Sequence, residues 1–444
     1  MKNILTLLAA FMVIPQAFAI ESFFNHNARS QYKEPYRNLT RQGDNLEAVI
    51  IREINKAQKT IYIAVQEFRL PLIAQALVAK MKAGVDVRVV VEHDYNFDVL
   101  HQKPAGEGES EESDNRNLRG FIDINGDGKL DANELNTRDA IYILTRGKIP
   151  VIDDTVSTAP TSGSGLMHHK FMVVDGKSVV VTTANFTMSC IHGDYNSPET
   201  RGNPNSMVVV SSVSMANIFT EEFMMMWGNG KNGNFGQNKT YRGPKTVTVD
   251  GTKITIQFSP TSKTLPFEQS TNGLIASYMK KAKRSFKAAL FVFSEQLLVD
   301  ALEARHDAGV EVGVIIESRF AYRDYSELLD MLGLEMLGVN CKPEPGNKPW
   351  KNPIREGGMA NLGGDKLHHK YAVIDGKYTL VGSHNWSDSA NNTNDETFLV
   401  IENTSISDSY TQEYERLKSN ATLGVTSKAE LDIQNRKDNC ARKP

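Results

Sequence analysis

The chain has 444 residues, and its 50 Lys and Arg nearly balance 53 Asp and Glu, for a formal net charge of −3. That balance excludes a protein whose whole surface binds polyanions, although a local basic cleft is compatible with it. Three cysteines in a chain of this length exclude a disulfide-scaffolded fold, and length alone predicts about three domains.

Residues 1–19 read as a secretory signal. Lys2 gives the positive start, Ile4 to Ile14 the apolar run, and Ala17-Phe18-Ala19 a small-x-small cleavage site. The run is too short for a membrane span, and no later stretch is long enough. The mature chain is expected to begin near Ile20, with a net charge of about −4, and to work in the periplasm or outside the cell.

Two segments then repeat without gaps. Ala57 to Glu92 (AQKTIYIAVQEFRLPLIAQALVAKMKAGVDVRVVVE) and Ala282 to Glu317 (AKRSFKAALFVFSEQLLVDALEARHDAGVEVGVIIE) are offset by 225 residues. Each holds a strand-like run, a helix with apolar residues at three- and four-residue spacing, then Gly-Val and a buried strand. Gly84 and Gly309 fall where the helix should stop. This βαβ pattern predicts parallel pairing in a sheet covered by helices. The repeat argues for two lobes: residues 20–240 and 245–420, with a charged tail at 421–444 and a boundary in the polar stretch Gln237 to Lys245.

Between Glu92 and His168 the first copy carries 25 more residues than the second. Gly106 to Asp114 is an acidic Ser/Gly-rich run and is expected to be a poor helix. Residues 123–134 fit a twelve-residue calcium loop. Asp123, Asn125, Asp127, Asp131 and Glu134 fall at ligand positions 1, 3, 5, 9 and 12; Lys129 offers its carbonyl at position 7, and Gly128 permits the turn at position 6. Hard oxygen donors in this number suit Ca²⁺. No second loop pairs with it, so the ion is expected to order the insertion rather than take part in chemistry.

His168-His169-Lys170 followed by Asp175 recurs as His368-His369-Lys370 followed by Asp375. In an extended strand alternate side chains share a face. His168 therefore points with Lys170, and His368 with Lys370, while His169 and His369 turn into the core. Each motif runs into a buried strand, a turn at Asp175-Gly176 or Asp375-Gly376, and a second strand. That strand ends in Thr182-Thr183-Ala184-Asn185 or Gly382-Ser383-His384-Asn385. Lobes packed about a pseudo-twofold axis bring the two His-Lys pairs together. Two lysines and two asparagines then hold the non-bridging oxygens of a phosphodiester. One histidine attacks phosphorus, and the other protonates the leaving oxygen and later activates water. One imidazole must be neutral and one protonated, which neutral pH allows, and the scheme needs no metal.

Cys190-Ile191-His192-Gly193-Asp194 has two readings, a lining of the cleft or a folded surface loop; the surface loop is the expectation, with Cys190 not catalytic. Met224-Met225-Met226-Trp227 reads as core. Cys341 with Cys440 is one pairing that would tie the tail to the second lobe, but spacing does not decide connectivity.

With these residues the chain resembles the phospholipase D superfamily, whose signature is His-x-Lys-x4-Asp-x6-Gly-Ser-x-Asn. The second copy matches at His368, Lys370, Asp375, Gly382, Ser383 and Asn385, and Trp386-Ser387 and Asn394-Asp395-Glu396 are similar to the family's continuation. The first copy keeps His168, Lys170, Asp175 and Asn185 but has Thr182-Thr183 for Gly-Ser. Asn205 stands where Glu396 stands, so the two histidines are expected to be inequivalent. The resemblance implies an α/β fold of two pseudo-symmetric lobes, each a mixed sheet flanked by helices, in a monomer with one site at their interface. It implies His168 as nucleophile, His368 as acid and base, and Asp175 and Asp375 as structural or orienting members of the site, with Ser383 and Glu396 also in it.

HHKYAVIDGKYTLVGSHNWSDSANNTNDE, Phe258-Ser259-Pro260 and Phe293-Ser294 are similar to the nuclease and cardiolipin-hydrolase branch. A nuclease acting on DNA or RNA is therefore the first expectation, against which the slight acidity stands. A phospholipase D cleaving headgroups is the second. A calcium-binding adhesion protein on a retired scaffold is the third, and intact His and Lys in both copies argue against it.

Overall fold

A computed structural model of the protein describes residues 19–101, 109–156, 165–343 and 345–442. Residues 1–18 of the expected leader, and Gly106 and Gly108, lie outside them.

The chain builds two mixed sheets flanked by helices. The first runs in the order Ile20–Phe24, Ser206–Ser211, Ser178–Thr182, Lys170–Val174, Thr60–Val65, Asp86–Val91, Val151–Asp153. The second runs Lys245–Val249, Thr252–Ser259, Glu396–Glu402, Tyr378–Gly382, Lys370–Ile374, Ser285–Leu290, Glu311–Ile316, Glu356–Met359, Thr422–Leu423. From Ile20–Phe24 and Thr252–Ser259 onward the two orders correspond strand for strand as far as Val151–Asp153 and Glu356–Met359.

The predicted βαβ units are present. Thr60–Val65 pairs in parallel with Asp86–Val91 across helix Pro71–Lys82, and Ser285–Leu290 with Glu311–Ile316 across helix Gln296–His306. Gly84 and Gly309 both take φ of +90° just after those helices, with open space around them, so backbone conformation rather than crowding selects glycine.

Strand alternation divides the core. Ile61, Ile63 and Val65 face one apolar cluster with helices Leu46–Lys56 and Pro71–Lys82. Tyr62 and Ala64 face another, shared by both sheets and by helices Val213–Trp227 and Thr404–Ser419. That shared cluster joins Phe171, Phe219 and Phe223 to Tyr371, Tyr410 and Tyr414. Each large apolar side chain buried there contributes about 1.5–3 kcal/mol, so the lobes are held as one body. Met226 and Trp227 belong to this core.

Three expectations are corrected. The segment entering the calcium loop is helical over Glu109–Ile122. Packing overrides its weak propensity: Phe121 and Ile122 are buried, and Phe121 packs edge-on against Tyr36 and Tyr195. Cys190, Ile191 and His192 are buried, not on a surface loop, and His192 bonds Glu47 and Tyr32. The charged tail is built into the second lobe. Thr422–Leu423 pairs with Glu356–Met359, helix Ser427–Ala441 packs Ile433 against Leu329 and Met336, and Cys440 bonds Cys341.

Candidate functional site

The motif strands meet where the lobes exchange backbone bonds. The His168 N–H donates to the Asp395 carbonyl (3.0 Å), and the His368 N–H to the Pro204 carbonyl (3.2 Å). Each histidine thus hangs from the other lobe's segment leading into its last motif strand, Ser206–Ser211 or Glu396–Glu402.

The side chains follow the same crossing. His168 Nδ1 lies 2.7 Å from Glu396 Oε2, which also accepts from Ser383 Oγ at 2.6 Å. His368 Nδ1 lies 3.0 Å from Asn205 Oδ1, which accepts from Thr183 Oγ1 at 2.7 Å. Thr183 therefore does for Asn205 what Ser383 does for Glu396. Asn205 Nδ2 donates to the carbonyls of Cys190 and Asn203, which fixes its Oδ1 toward the imidazole. His368 must then carry its proton on Nδ1, leaving a lone pair on Nε2. The carboxylate of Glu396 imposes the same tautomer on His168.

Lys170 and Lys370 each donate to the carbonyl of their own motif histidine at 2.9 Å. Lys170 also reaches Gln66 at 3.3 Å, whereas Lys370 lies over the ring of Phe291, the residue 225 positions on. Both lysines are fully buried. Burial lowers Lys170 to about 8, and burial with the Lys170 charge lowers Lys370 to about 7. Burial, then the charges of both lysines, holds His168 and His368 well below the ordinary imidazole range. The four groups feel one another, so the two motifs form a single cluster. Burial raises Glu396.

Asn185 donates to Gln66 at 3.4 Å, and the buried Oδ1 atoms of Asn185 and Asn385 accept no hydrogen bond within the chain. A buried polar atom left so costs about 1–3 kcal/mol. Asp175 and Asp375, placed in the site from sequence, sit instead at the far ends of their strands. At φ of +53° and +55° each accepts backbone N–H groups of three residues, Gln58 to Thr60 or Lys283 to Ser285, which holds its carboxyl below the usual range despite some burial. They tie turns together and do not meet the histidines.

His169 and His369 are buried against carboxylates the sequence did not single out. His169 lies 3.0 Å from Glu222 and His369 2.8 Å from Glu413, at matching places on the two helices that pack between the sheets. Burial lowers His169 to about 3, so it is neutral and Glu222 is balanced by Lys239 and Arg242.

In the insertion, Asp123, Asn125, Asp127 and Asp131 accept amides of their own loop, and Glu134 accepts those of Ile124, Asn125 and Asp131. Gly128 takes φ of +78°, and helices Glu109–Ile122 and Ala132–Arg138 flank the loop. The donor set and turn suit Ca²⁺, although the loop's carboxylates are turned onto its amides rather than onto a common point. Among the described residues, the clusters that bring three imidazole or carboxylate atoms together lie outside this loop: Glu92 with His93 and Asp154, and His169 with Glu222 and Asp395.

A cavity of about 200 Å³ opens beside His368, with Cys190, Arg69 and Phe121 among its walls. No sequence pattern marked it, because its residues come from distant parts of the chain. Among the described residues no helix is long and apolar enough to cross a membrane.

The sequence profile of the family described as "Cardiolipin synthase, PLD-like domain" matches residues 50–227 and again 275–418. The mitochondrial cardiolipin hydrolase of Xenopus tropicalis is 30% identical over 156 residues, 34% of this chain and 63% of that protein. A phospholipase D of Rickettsia bellii is 24% identical over 163 residues, 36% of this chain and 67% of that protein. The chain thus spans less than two thirds of the first of these relatives. The phosphatidylserine synthase of Haemophilus influenzae superposes over 96% of this chain and 94% of its own with a TM-score of 0.57 at 12% identity, which shows a shared fold. With two profile matches, two corresponding sheets and two motifs at one seam, the chain belongs to the phospholipase D-like family.

Proposed function

We propose that the protein hydrolyses phosphodiesters through a phosphohistidine, and that its substrate is a nucleic acid. The observation that carries this is the crossed pairing at the seam: His168 on Glu396 and His368 on Asn205, with Lys170 and Lys370 in the same cluster.

His168 Nε2 attacks phosphorus, forming the P–N bond as the P–O bond to the leaving group breaks. Glu396, bonded to Nδ1–H, offsets the positive charge that appears on the imidazole. Lys170, Lys370 and the side-chain amides of Asn185 and Asn385 receive the non-bridging oxygens. On binding the diester, His368 takes a proton from solvent onto Nε2, gives it to the leaving oxygen, then takes one from the water that breaks the P–N bond. Asn205 holds His368 in place without stabilising its charge, which suits a residue that must gain and lose a proton. The diester's own negative charge restores His368 toward its ordinary value on binding. Cleavage of single- and double-stranded DNA in excess chelator, abolished in the His168→Ala protein, tests the reading. Turnover of anionic lipid vesicles instead of nucleic acid would favour the phospholipase alternative that the relatives' names suggest.

The lysines give a pH prediction. Below about 7 both are charged, and as pH rises Lys370 loses its proton first, then Lys170 near 8. Bound phosphate favours the charged forms. Inhibition by dimethyl phosphate, whose charge is constant over this range, should therefore weaken at least tenfold, about 1.4 kcal/mol, between pH 6 and 9; a constant Ki would contradict this.

The calcium loop at 123–134 is proposed to bind Ca²⁺ through Asp123, Asn125, Asp127, the Lys129 carbonyl, Asp131 and Glu134, and to order the insertion. Calcium should raise the melting temperature, and chelator should leave turnover of a simple diester largely intact. Complete, reversible loss of that turnover with the fold retained would contradict it. Residues 1–19 are proposed to direct export.

A further inference from the structure

Apart from His368 and Asn185, the cavity beside the motif histidine is walled by chemistry that the phosphodiester reaction does not use. Four rings line it: Tyr95, Phe121, Tyr195 and Phe291. Between them stand Arg69, Lys366, Asn117 and Asn185. Arg69 is only 6% exposed. Its Nη1 donates to the Phe97 carbonyl at 2.8 Å, and its Nε, 3.6 Å from the Glu67 carboxylate, makes no hydrogen bond within the chain. The Asn185 Oδ1 is likewise buried and unbonded. An unused donor and an unused acceptor in one aromatic-walled pocket call for a ligand that is planar and carries both partners.

The alternatives fit less well. Among the described residues the wall holds two cations, Arg69 and Lys366, against one carboxylate, Glu67, which disfavours the ammonium of a choline or ethanolamine headgroup. Polar atoms in the wall disfavour an acyl chain, which would strand them unsolvated. At about 200 Å³ the cavity has room for one base. Bases stack on aromatic side chains irrespective of sequence and hydrogen-bond along their edges.

We infer that this cavity seats one unpaired nucleobase next to the scissile phosphate, and that the inserted helix Glu109–Ile122, through Asn117 and Phe121, builds part of that seat. The inference rests on the nuclease reading and sharpens it to single-stranded substrate. The insertion is then a specificity element, and the calcium loop that follows Ile122 steadies the wall.

Two chromogenic diesters with the same leaving group test this: thymidine 5′-(p-nitrophenyl phosphate) and methyl p-nitrophenyl phosphate. The expected result is a kcat/KM at least about tenfold higher for the nucleoside ester, within the range that stacking of one base supplies. Tyr195→Ala and Asn117→Ala should each remove most of that preference and leave the methyl ester unchanged. Asn117 is partly exposed, so its variant guards against loss of fold. Equal rates for the two esters, or variants that lower both alike, would overturn the inference while leaving phosphodiester chemistry intact. Faster cleavage of duplex than of single strands would also overturn it. Turnover of neither ester nor DNA would remove the nuclease reading and the inference together, and turnover of lipid vesicles alone would assign the cavity to a headgroup.

Discussion

Replacing His168 with Ala is expected to lower kcat by about 10⁴- to 10⁶-fold, the scale on which hydrolases lose activity with their covalent nucleophile. The geometry singles out His168 over His368. Its Nδ1–H is held by a carboxylate, and a carboxylate stabilises the positive imidazole that a phosphohistidine carries, whereas the Asn205 amide beside His368 does not. The fold should survive, because Glu396 keeps its bond from Ser383 when the imidazole is gone. Circular dichroism and the melting temperature check that point. Glu396→Gln should leave the nucleophile in place but lower kcat by about 10- to 100-fold, or about 1.4–2.7 kcal/mol of barrier. A His168→Ala protein that retains more than about one part in 10² of the activity would mean that the nucleophile lies elsewhere, since removing a general acid or base alone costs about 10²–10⁴-fold.

The second large effect is on stability. Glu222 is fully buried and meets His169 (3.0 Å), Lys239 (2.5 Å) and Arg242. His169 is neutral there, so Glu222 balances Arg242 and shares Lys239, only 5% exposed, with the Asp395 carboxylate 2.6 Å away. Glu222→Ala leaves Lys239 to Asp395 alone and takes the close carboxylate from Arg242, and should cost about 3 kcal/mol in urea unfolding, the low end for breaking a buried pair. Glu222→Gln keeps the shape and some of the bonds and should cost about 1–3 kcal/mol. Lys239 also touches Asp395, whose carbonyl receives the His168 N–H. Activity should therefore fall in Glu222→Ala even where the protein remains folded. A change below about 0.5 kcal/mol would show that solvent replaces the carboxylate freely.

Much of this architecture was legible in the sequence because it is written twice. The 225-residue offset exposed the βαβ units, and the aligned Thr183 with Ser383 and Asn205 with Glu396 exposed the inequivalence of the two halves. Which histidine each of these residues touches was not legible. The contacts cross between lobes, and only the folded chain brings Asp395 beside His168 and Pro204 beside His368. Asp175 and Asp375 were counted in the site because the signature includes them; their five-residue distance from the lysine along a strand in fact carries them to its other end. Glu222 and Glu413 were missed because a carboxylate on an amphipathic helix reads as solvated until its partner is seen. The helix Glu109–Ile122 was misjudged for a related reason: local propensity argued against it, and Phe121, buried against Tyr36 and Tyr195, outweighed propensity.

The most direct measurement is the intact mass of His368→Asn protein mixed with methyl p-nitrophenyl phosphate in excess chelator. This leaving group departs without a proton, so the first step should proceed, while the second lacks the base that activates water. The account predicts a burst of p-nitrophenolate equal to the enzyme present and an acid-labile methyl phosphoryl adduct on His168. No adduct, or one on another residue, under conditions where the unaltered protein turns the ester over, would contradict it.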